Sequence, residues 1–385
     1  METLVLSAPL SISLDVSAIP EKAAGAGQYA MGLVRALDAR TDCCVSLVTR
    51  GSDTQRWREL APSSRVLGWA PSARPVRLVW EQLSLSRRVS SLGVDVHHGL
   101  HYTMPERAKV RSVVTVHDCT YFDHPEWHIA SKVRFFKRAI QVAARRAGAV
   151  VCVSDATAER FRELCRPLVP VVVVPHGVDH ARFTPDAPQG KADELALARL
   201  GISQKEKLIV FVGTIEPRKG VSVLIEAFER LARGRDDLRL VIAGQRGWGD
   251  ELAALGRTSR PEKVTVTGYV PQATVPALLR AASAVAYPSL DEGFGLPAFE
   301  ALACGAPLVT SEATPMARLL SDAALLVDPG NVSALAEAIE LLVDGDGGAV
   351  ARREAGLSKV AQLTWAASAQ RHLDAYRIAA ALASP

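Results

Sequence analysis

Short runs of Val, Leu and Ile, each bounded by turn residues, alternate with longer helical patterns along nearly the whole chain. This alternation is the strongest constraint on the fold, because apolar runs without a polar face suit parallel strands covered by helices on both sides. The pattern predicts an α/β architecture. A first series of strands is predicted over 10–16, 45–49, 94–97, 112–116, 149–153 and 171–174. A second covers 208–213, 238–243, 264–268, 284–287, 307–311 and 324–327. Between them, residues 184–207 carry Pro185, Pro188 and Gly190 ahead of a helical pattern over 192–200, so no strand crosses this stretch. The predicted organisation is an N-terminal domain over 1–187, a linker over 188–207, a second domain over 208–364 and a closing helix over 365–385 that crosses back to the first. Two doubly wound domains of this kind are expected to face a central cleft, with ligands at the carboxyl ends of the strands.

Composition narrows the class. The 385 residues divide into 45 Lys plus Arg against 41 Asp plus Glu, a net charge of +4 that is too mild to indicate a nucleic-acid partner. The cysteines at 43, 44, 119, 152, 165 and 304 form no C-x-x-C pair and read as reduced thiols. The opening METLVLSAPLSISLDV lacks a basic signal-peptide start, and no stretch approaches the roughly 20 apolar residues of a spanning helix. A cytoplasmic protein is expected, with peripheral contact at the inner face of the plasma membrane left open.

The segment from Asp291 through Glu300 to Gly305, DEGFGLPAFEALACG, follows the strand predicted over 284–287 and opens a helix. Pro297 suits a first helical turn, and Gly305 suits its C-terminal stop. Gly293, Phe294 and Gly295 place backbone N–H groups at the positive end of that helix, where phosphate is favoured. Glu292 in the loop and Glu300 one turn into the helix are unsuited to phosphate themselves and suited to accepting hydrogen bonds from sugar hydroxyls. A second piece, FVGTIEPRKG, follows the strand predicted over 208–213. There Gly213 ends the strand, and adjacent Arg218 and Lys219 precede a helical pattern over 221–232, which suits a diphosphate.

Together these residues resemble the retaining glycosyltransferases of family 4, which have the GT-B fold of two Rossmann-like domains. Glu292 and Glu300 match the E-x7-E signature. Gly25-Ala-Gly27, Val116-His117-Asp118, Val153-Ser-Asp155, Pro175-His-Gly177-Val-Asp179 and the helix after Trp365 fall in the family's order. The resemblance implies a nucleotide-sugar donor in the second domain and an acceptor in the first. Lys219, with Arg218, would neutralise the departing diphosphate, and Gly213 and the backbone of Gly293 to Gly295 would cradle phosphate and sugar. Glu292 would bind donor sugar hydroxyls, Glu300 the ribose, and His117 would reach the donor sugar from the first domain. Gly25 and Gly27 would let the first loop approach the diphosphate. Thr214 is a departure, since many members carry Arg there.

The implied reaction moves a hexose to an acceptor hydroxyl with retention, the acceptor being a glycan, a lipid-linked sugar or a small molecule. The G-T-x-E-P-R-K form resembles mannosyltransferase branches and implies GDP-mannose; UDP-glucose and other UDP sugars stay open. No cofactor or metal is expected, since fixed cations and N–H dipoles can meet the leaving charge. A nucleotide-sugar epimerase or phosphorylase of the same fold, or a non-catalytic nucleotide-sugar-binding protein, are the alternatives.

Other signals are weaker. Gly25-Ala-Gly27-Gln-Tyr-Ala30 fits the dinucleotide fingerprint but lies well beyond the strand it should adjoin. His97, His98 and His101 lack the helical spacing of a metal site and read as structural. The one D-x-D triplet, Asp344-Gly-Asp346, reads as a solvated turn. Residues 132–146 form a basic amphipathic helix, with Val133, Phe136, Ile140, Ala143 and Ala147 on the apolar stripe and Lys132, Arg134, Lys137, Arg138 and Arg145 off it. Packing on the first sheet with a solvated basic face accounts for this stretch, and contact with anionic lipid is the further expectation.

Overall fold

The computed structural model describes residues 9–382 except 24, 188–190, 204 and 346. The first eight residues, Pro188, Gly190 and Asp346, which figure in the expectations above, lie outside the described residues. The chain divides into two compact units, Met1–Gly177 with Trp365–Pro385, and Val178–Thr364.

The first unit holds a parallel sheet of seven strands: β1 (Leu10–Asp15), β2 (Cys43–Arg50), β3 (Arg65–Ala70), β4 (Val96–Gly99), β5 (Arg111–Val116), β6 (Ala149–Cys152) and β7 (Val171–Val173). Their order is β3-β2-β1-β4-β5-β6-β7. The second unit holds β8 (Lys207–Val212), β9 (Leu238–Ala243), β10 (Val264–Gly268), β11 (Ala282–Tyr287), β12 (Leu308–Ser311) and β13 (Leu325–Val327) in the order β10-β9-β8-β11-β12-β13. The order reverses between β1 and β4 and between β8 and β11. At such switch points the loops leaving neighbouring strands diverge and open a crevice.

Twelve of these strands were legible as apolar runs, and β3 was not. It is an edge strand reading Arg-Val-Leu-Gly-Trp-Ala, in which only Leu67 and Ala70 are buried, so its apolar signal is diluted. The unit boundary also falls ten residues before the expected 188. The Val178 N–H donates to the Leu363 carbonyl, and Arg280 donates to the Thr184 carbonyl, so both tie this stretch to the second unit. The expected linker does not stand apart either. Its helix Ala192–Arg199 carries Asp193, which accepts both arms of Arg280 at 2.7 Å.

Each sheet is packed by helices. In the first unit Ile12, Leu14 and Val96 meet Tyr29 and Leu33 of the helix Ala26–Asp38 and Leu373, Tyr376 and Ala379 of the helix Trp365–Ala381. On the other side Val114, Val116 and Val150 meet Phe136 and Ile140. A polar network runs through the first core. Tyr29 Oη lies 2.8 Å from Thr115 Oγ1 and 2.9 Å from His372 Nε2, while His98 joins Tyr376 Oη and Thr115 Oγ1 at 2.8 Å each. Buried polar groups persist only when partnered, so this network fixes how the C-terminal helix docks. Of the histidines read as structural, His97 and His98 make hydrogen bonds inside this core, His97 Nδ1 to Ser13 Oγ at 3.1 Å. Among the described residues no helix is long and apolar enough to cross a membrane.

Two outcomes follow. A Cβ on Gly32 would sit 2.1 Å from the Trp365 ring, so Gly32→Ala is expected to cost about 1–3 kcal/mol in urea unfolding. An unchanged midpoint would show that the Trp365 helix yields freely. Burial also lowers His97 and His372 to about 4 and His101 to about 3 from 6.5. The unfolded chain therefore binds more protons than the folded one between these values and 6.5, and stability falls as pH drops through that window. Buried Glu81 and Glu300, raised to about 8, act in the opposite sense. Burial also depresses His98, His117 and His176, so the histidines outnumber these carboxyls and the urea midpoint at pH 5 should lie below that at pH 7.

Candidate active site

The loops after β8 and β11 leave adjacent strands at the switch point of the second sheet, and both expected motifs lie on them. After β8, Pro217–Lys219 form one 3-10 turn that ends at Gly220, whose φ of 65° is left-handed. A Cβ there would lie 2.3 Å from the Pro288 carbonyl oxygen, so glycine is required twice over. The Leu290 N–H donates to the Arg218 carbonyl at 2.7 Å and ties one loop to the other. Gly213 sits against Gly244, where a Cβ on Gly244 would lie 1.7 Å from the Gly213 oxygen, so the β8 and β9 ends are tightly apposed.

Three expected residues converge. Glu292 is buried and accepts from Lys219 Nζ, from Arg218 Nη1 at 2.8 Å, and from Tyr287 Oη and Ser289 Oγ at 2.9 Å each. Lys219 Nζ also lies 2.6 Å from Tyr287 Oη and above that ring, and Arg218 Nε pairs with Glu216 at 2.6 Å. The carboxylate expected on sugar hydroxyls and the cations expected on diphosphate thus hold one another. Burial alone would raise the Glu292 carboxyl, but Lys219 and Arg218 overcome it and hold the group at about 2. Burial and then Arg218 lower the Lys219 ammonium, and Glu292 offsets part of that. At the expected departure, Thr214, the chain carries no cation, and Arg218 and Lys219 share the Glu292 carboxylate.

Gly293, Phe294 and Gly295 complete the acidic loop. Gly295 caps the helix Leu296–Ala303 with a φ of 85°, and a Cβ there would run into Met316 Sδ at 1.9 Å. Phe294 stacks on Phe299 with centroids 4.7 Å apart, which pins the loop to its own helix. Glu300 faces a different environment from Glu292. Burial raises its carboxyl to about 8 against the pull of Arg182, with Asp179 adding to the rise. At neutral pH Glu292 only accepts hydrogen bonds, whereas Glu300 carries a proton it can donate.

His117, Gly25 and Gly27 lie in the first unit. His117 follows β5, and its Nε2 donates to the Leu100 carbonyl at 2.8 Å, which leaves Nδ1 as the acceptor nitrogen. Burial lowers its pKa despite that bond. Tyr29 meets the His117 ring edge-on at 5.1 Å. Gly25 starts its helix at a φ of 39° with open space where a Cβ would be, as close approach of a ligand would need. Gly27 differs: a Cβ there would lie 2.6 Å from the Ala23 methyl, so internal packing already excludes a side chain. Tyr287, Ser289, Glu216, Asp179 and Arg182 were not singled out as site residues. Tyr287 ends β11 and Ser289 follows it, so their place before the acidic loop was the available signal.

The chain has been compared with known families, proteins and structures. The glycosyl transferases group 1 family matches residues 193–358, and glycosyltransferase family 4 matches residues 23–182. An O-antigen chain mannosyltransferase of Escherichia coli is 29% identical over 286 residues, 74% of either chain. A D-inositol 3-phosphate glycosyltransferase of Segniliparus rotundus is 33% identical over 215 residues, 54% of this chain and 46% of that one, so about half of that relative is spanned. Among solved structures, a sucrose-phosphate synthase of Thermosynechococcus elongatus superposes with a TM-score of 0.78 at 20% identity, over 96% of this chain and 98% of that one. Anabaena HepE in complex with UDP-glucose gives 0.74 at 18%, over 95% and 98%. These likenesses show the shared fold.

Lys219→Met should cost roughly 3–5 kcal/mol in urea unfolding, because it strips a buried carboxylate of its nearest cation. Adding Glu292→Gln should recover part of that loss, since the amide oxygen still accepts from Tyr287 and Ser289. Strictly additive losses in the two variants would show that the pair is not coupled.

Proposed function

This chain belongs to glycosyltransferase family 4 and has the two Rossmann-like units of the GT-B fold, and from that premise we propose that it moves a hexose from a nucleotide sugar to an acceptor hydroxyl with retention. The observation that carries the reading is the convergence of Arg218, Lys219 and Glu292 on two adjacent loops at the switch point of the second sheet. The donor proposed is GDP-mannose, supported by the likeness to a mannosyltransferase over 74% of the chain.

Each cation already meets a carboxylate, so the diphosphate either replaces Glu292 on Lys219 or Arg218 or shares their N–H donors with it. The ionised Glu292 accepts from sugar hydroxyls, and Glu300 exchanges hydrogen bonds with the ribose. The cations and the N–H groups of Gly293 to Gly295 stabilise charge as the leaving group departs, without a metal ion in the scheme. His117, which the family resemblance implies would reach the donor sugar, offers Nδ1 as its acceptor. The acceptor is a glycan, a lipid-linked sugar or a small molecule with a free hydroxyl.

Thermal unfolding in the presence of GDP, UDP, ADP and their sugar conjugates tests this. A ligand that binds only the folded chain adds about 2.7 kcal/mol at a hundredfold excess over its Kd. GDP and GDP-mannose should raise the melting temperature most. A larger shift with UDP compounds would reassign the donor, and no shift with any nucleotide would remove the proposal. With the donor in hand, Lys219→Arg should lower transfer about a hundredfold or more, and NMR of the product should show the donor's anomeric configuration.

A further inference from the structure

The helix Arg74–Trp80 runs into a π-helical turn, Glu81–Leu85, and on into the helix Ser86–Ser91. One side of this rod is core: Leu85 and Val89 pack with Val48 and Val94, and Glu81 and Ser86 are buried beside them. The other side carries Val76, Val79 and Leu83, which are 56%, 59% and 58% exposed. At 100° per residue these three fall within about 60° of one another, so they form one apolar stripe. No requirement of the first unit's own core accounts for them.

A second apolar pair stands at the start of the helix Ala130–Arg146, where Ile129 is 61% and Phe135 36% exposed. The two segments are linked through Glu106, whose N–H donates to Gln82 Oε1 at 3.1 Å and whose carboxylate takes both arms of Arg138, and Arg74 adds to the effect of burial in lowering the Lys132 ammonium. Cations adjoin both apolar groups along the chain: exposed Arg74 two residues before Val76, half-buried Lys132 three residues after Ile129, and exposed Arg134 next to Phe135. The carboxylates of the adjoining turn are engaged elsewhere, Asp123 with Arg160 and Glu126 with His124. Further along the same helix the basic face is used internally. Arg138 forks onto Glu106, Arg146 donates to the Glu106 carbonyl, and Lys137 lies over the Phe122 ring. In the stretch expected to meet lipid, 132–146, Arg138 and Arg146 are thus engaged while Arg145 is exposed, and the apolar stripe on the neighbouring rod was not legible as a partner surface.

We propose that Val76, Val79 and Leu83, together with Ile129 and Phe135 and bordered by Arg74, Lys132 and Arg134, form a surface that docks the first unit on an anionic lipid bilayer. Apolar side chains ringed by cations match the boundary of such a bilayer, where aliphatic groups enter the acyl region and cations stay with the headgroups. A second copy of the chain is a poorer occupant, because a two-fold contact across the stripe would bring the bordering cations toward their own counterparts. The surface deepens the reading above by naming what would carry the enzyme to a lipid-linked acceptor, and it rests on that reading for this consequence alone.

The experiment is cosedimentation of the full chain with phosphatidylcholine vesicles, with and without phosphatidylglycerol, at low and high salt. Binding is expected only to the anionic vesicles and should weaken with salt. Val79→Asp with Leu83→Asp, and separately Arg74→Glu with Arg134→Glu, should each reduce the bound fraction about tenfold or more while leaving the melting temperature and its nucleotide shift unchanged. Absence of wild-type binding at low salt, or binding unaffected by either pair of substitutions, overturns the proposal. So does a concentration-dependent dimer that Val79→Asp with Leu83→Asp abolishes, since the stripe would then be a self-contact. The readout is independent of turnover. A nucleotide shift without vesicle binding refutes this surface alone, and vesicle binding without any nucleotide shift refutes the donor reading alone.

Discussion

The carboxylate of Glu292, out of water and surrounded by four donors, is the constraint on which the second unit's site depends. A buried charge is tolerated only when its partners are held in place, and here they arrive from separate segments. Lys219 and Arg218 come from the turn after β8, Tyr287 from the end of β11, and Ser289 from the loop beyond it. Each depends on backbone geometry that little else would allow. Gly220 must be left-handed and bare under the Pro288 carbonyl, and Gly295 must leave room for Met316. The same bonds that satisfy the carboxylate keep two cations together just before the helix Val221–Ala232, where Glu216 and Glu292 balance their charge.

The first unit is organised by a different polar constraint. Tyr29, Thr115, His98, His372 and Tyr376 satisfy one another within an apolar core, so the chain's last helix has one docking position. His117 sits on the edge of this assembly, its ring against Tyr29 and its Nε2 committed to Leu100. Its tautomer is thereby set by the scaffold. The two glutamates of the signature are likewise set apart by surroundings: adjacent cations keep Glu292 ionised, while burial with only partial compensation keeps Glu300 protonated near neutrality. Two identical side chains eight positions apart therefore offer different hydrogen-bonding chemistry.

How much could be read from the chain varies with the kind of interaction. The strand over 238–243 matches its observed bounds because its residues are buried but for Arg239, and the part-exposed edge strand over 264–268 matches because alternating Val and Thr end at Gly268. The edge strand β3 escaped because half-exposed positions and Gly68 break that signal. The linker expected over 188–207 was inferred from Pro and Gly, but Arg280 recruits Asp193 and Thr184 from a distance, and such a bond leaves no trace in local composition. The site motifs were legible because glycine, proline, paired cations and two carboxylates at fixed spacing are rare in combination. Tyr287 and Ser289 were not, because a tyrosine ending a strand and a serine after it are ordinary features.

The sequence by itself determined two series of parallel strands, the two loops that carry Arg218, Lys219 and Glu292, and membership of a glycosyltransferase family, because these depend on local periodicity and on residues with special backbone or charge properties. Tertiary structure alone decided that Glu292 closes onto Lys219 and Arg218, that Glu300 stands apart with Arg182 and Asp179, and that Gly27 is small for packing. It also decided the partners of the last helix, which was expected to cross back to the first domain and does so through His372 on Tyr29. Those outcomes depend on which distant groups meet and how completely water is excluded around them, and neither is encoded in any short stretch of chain.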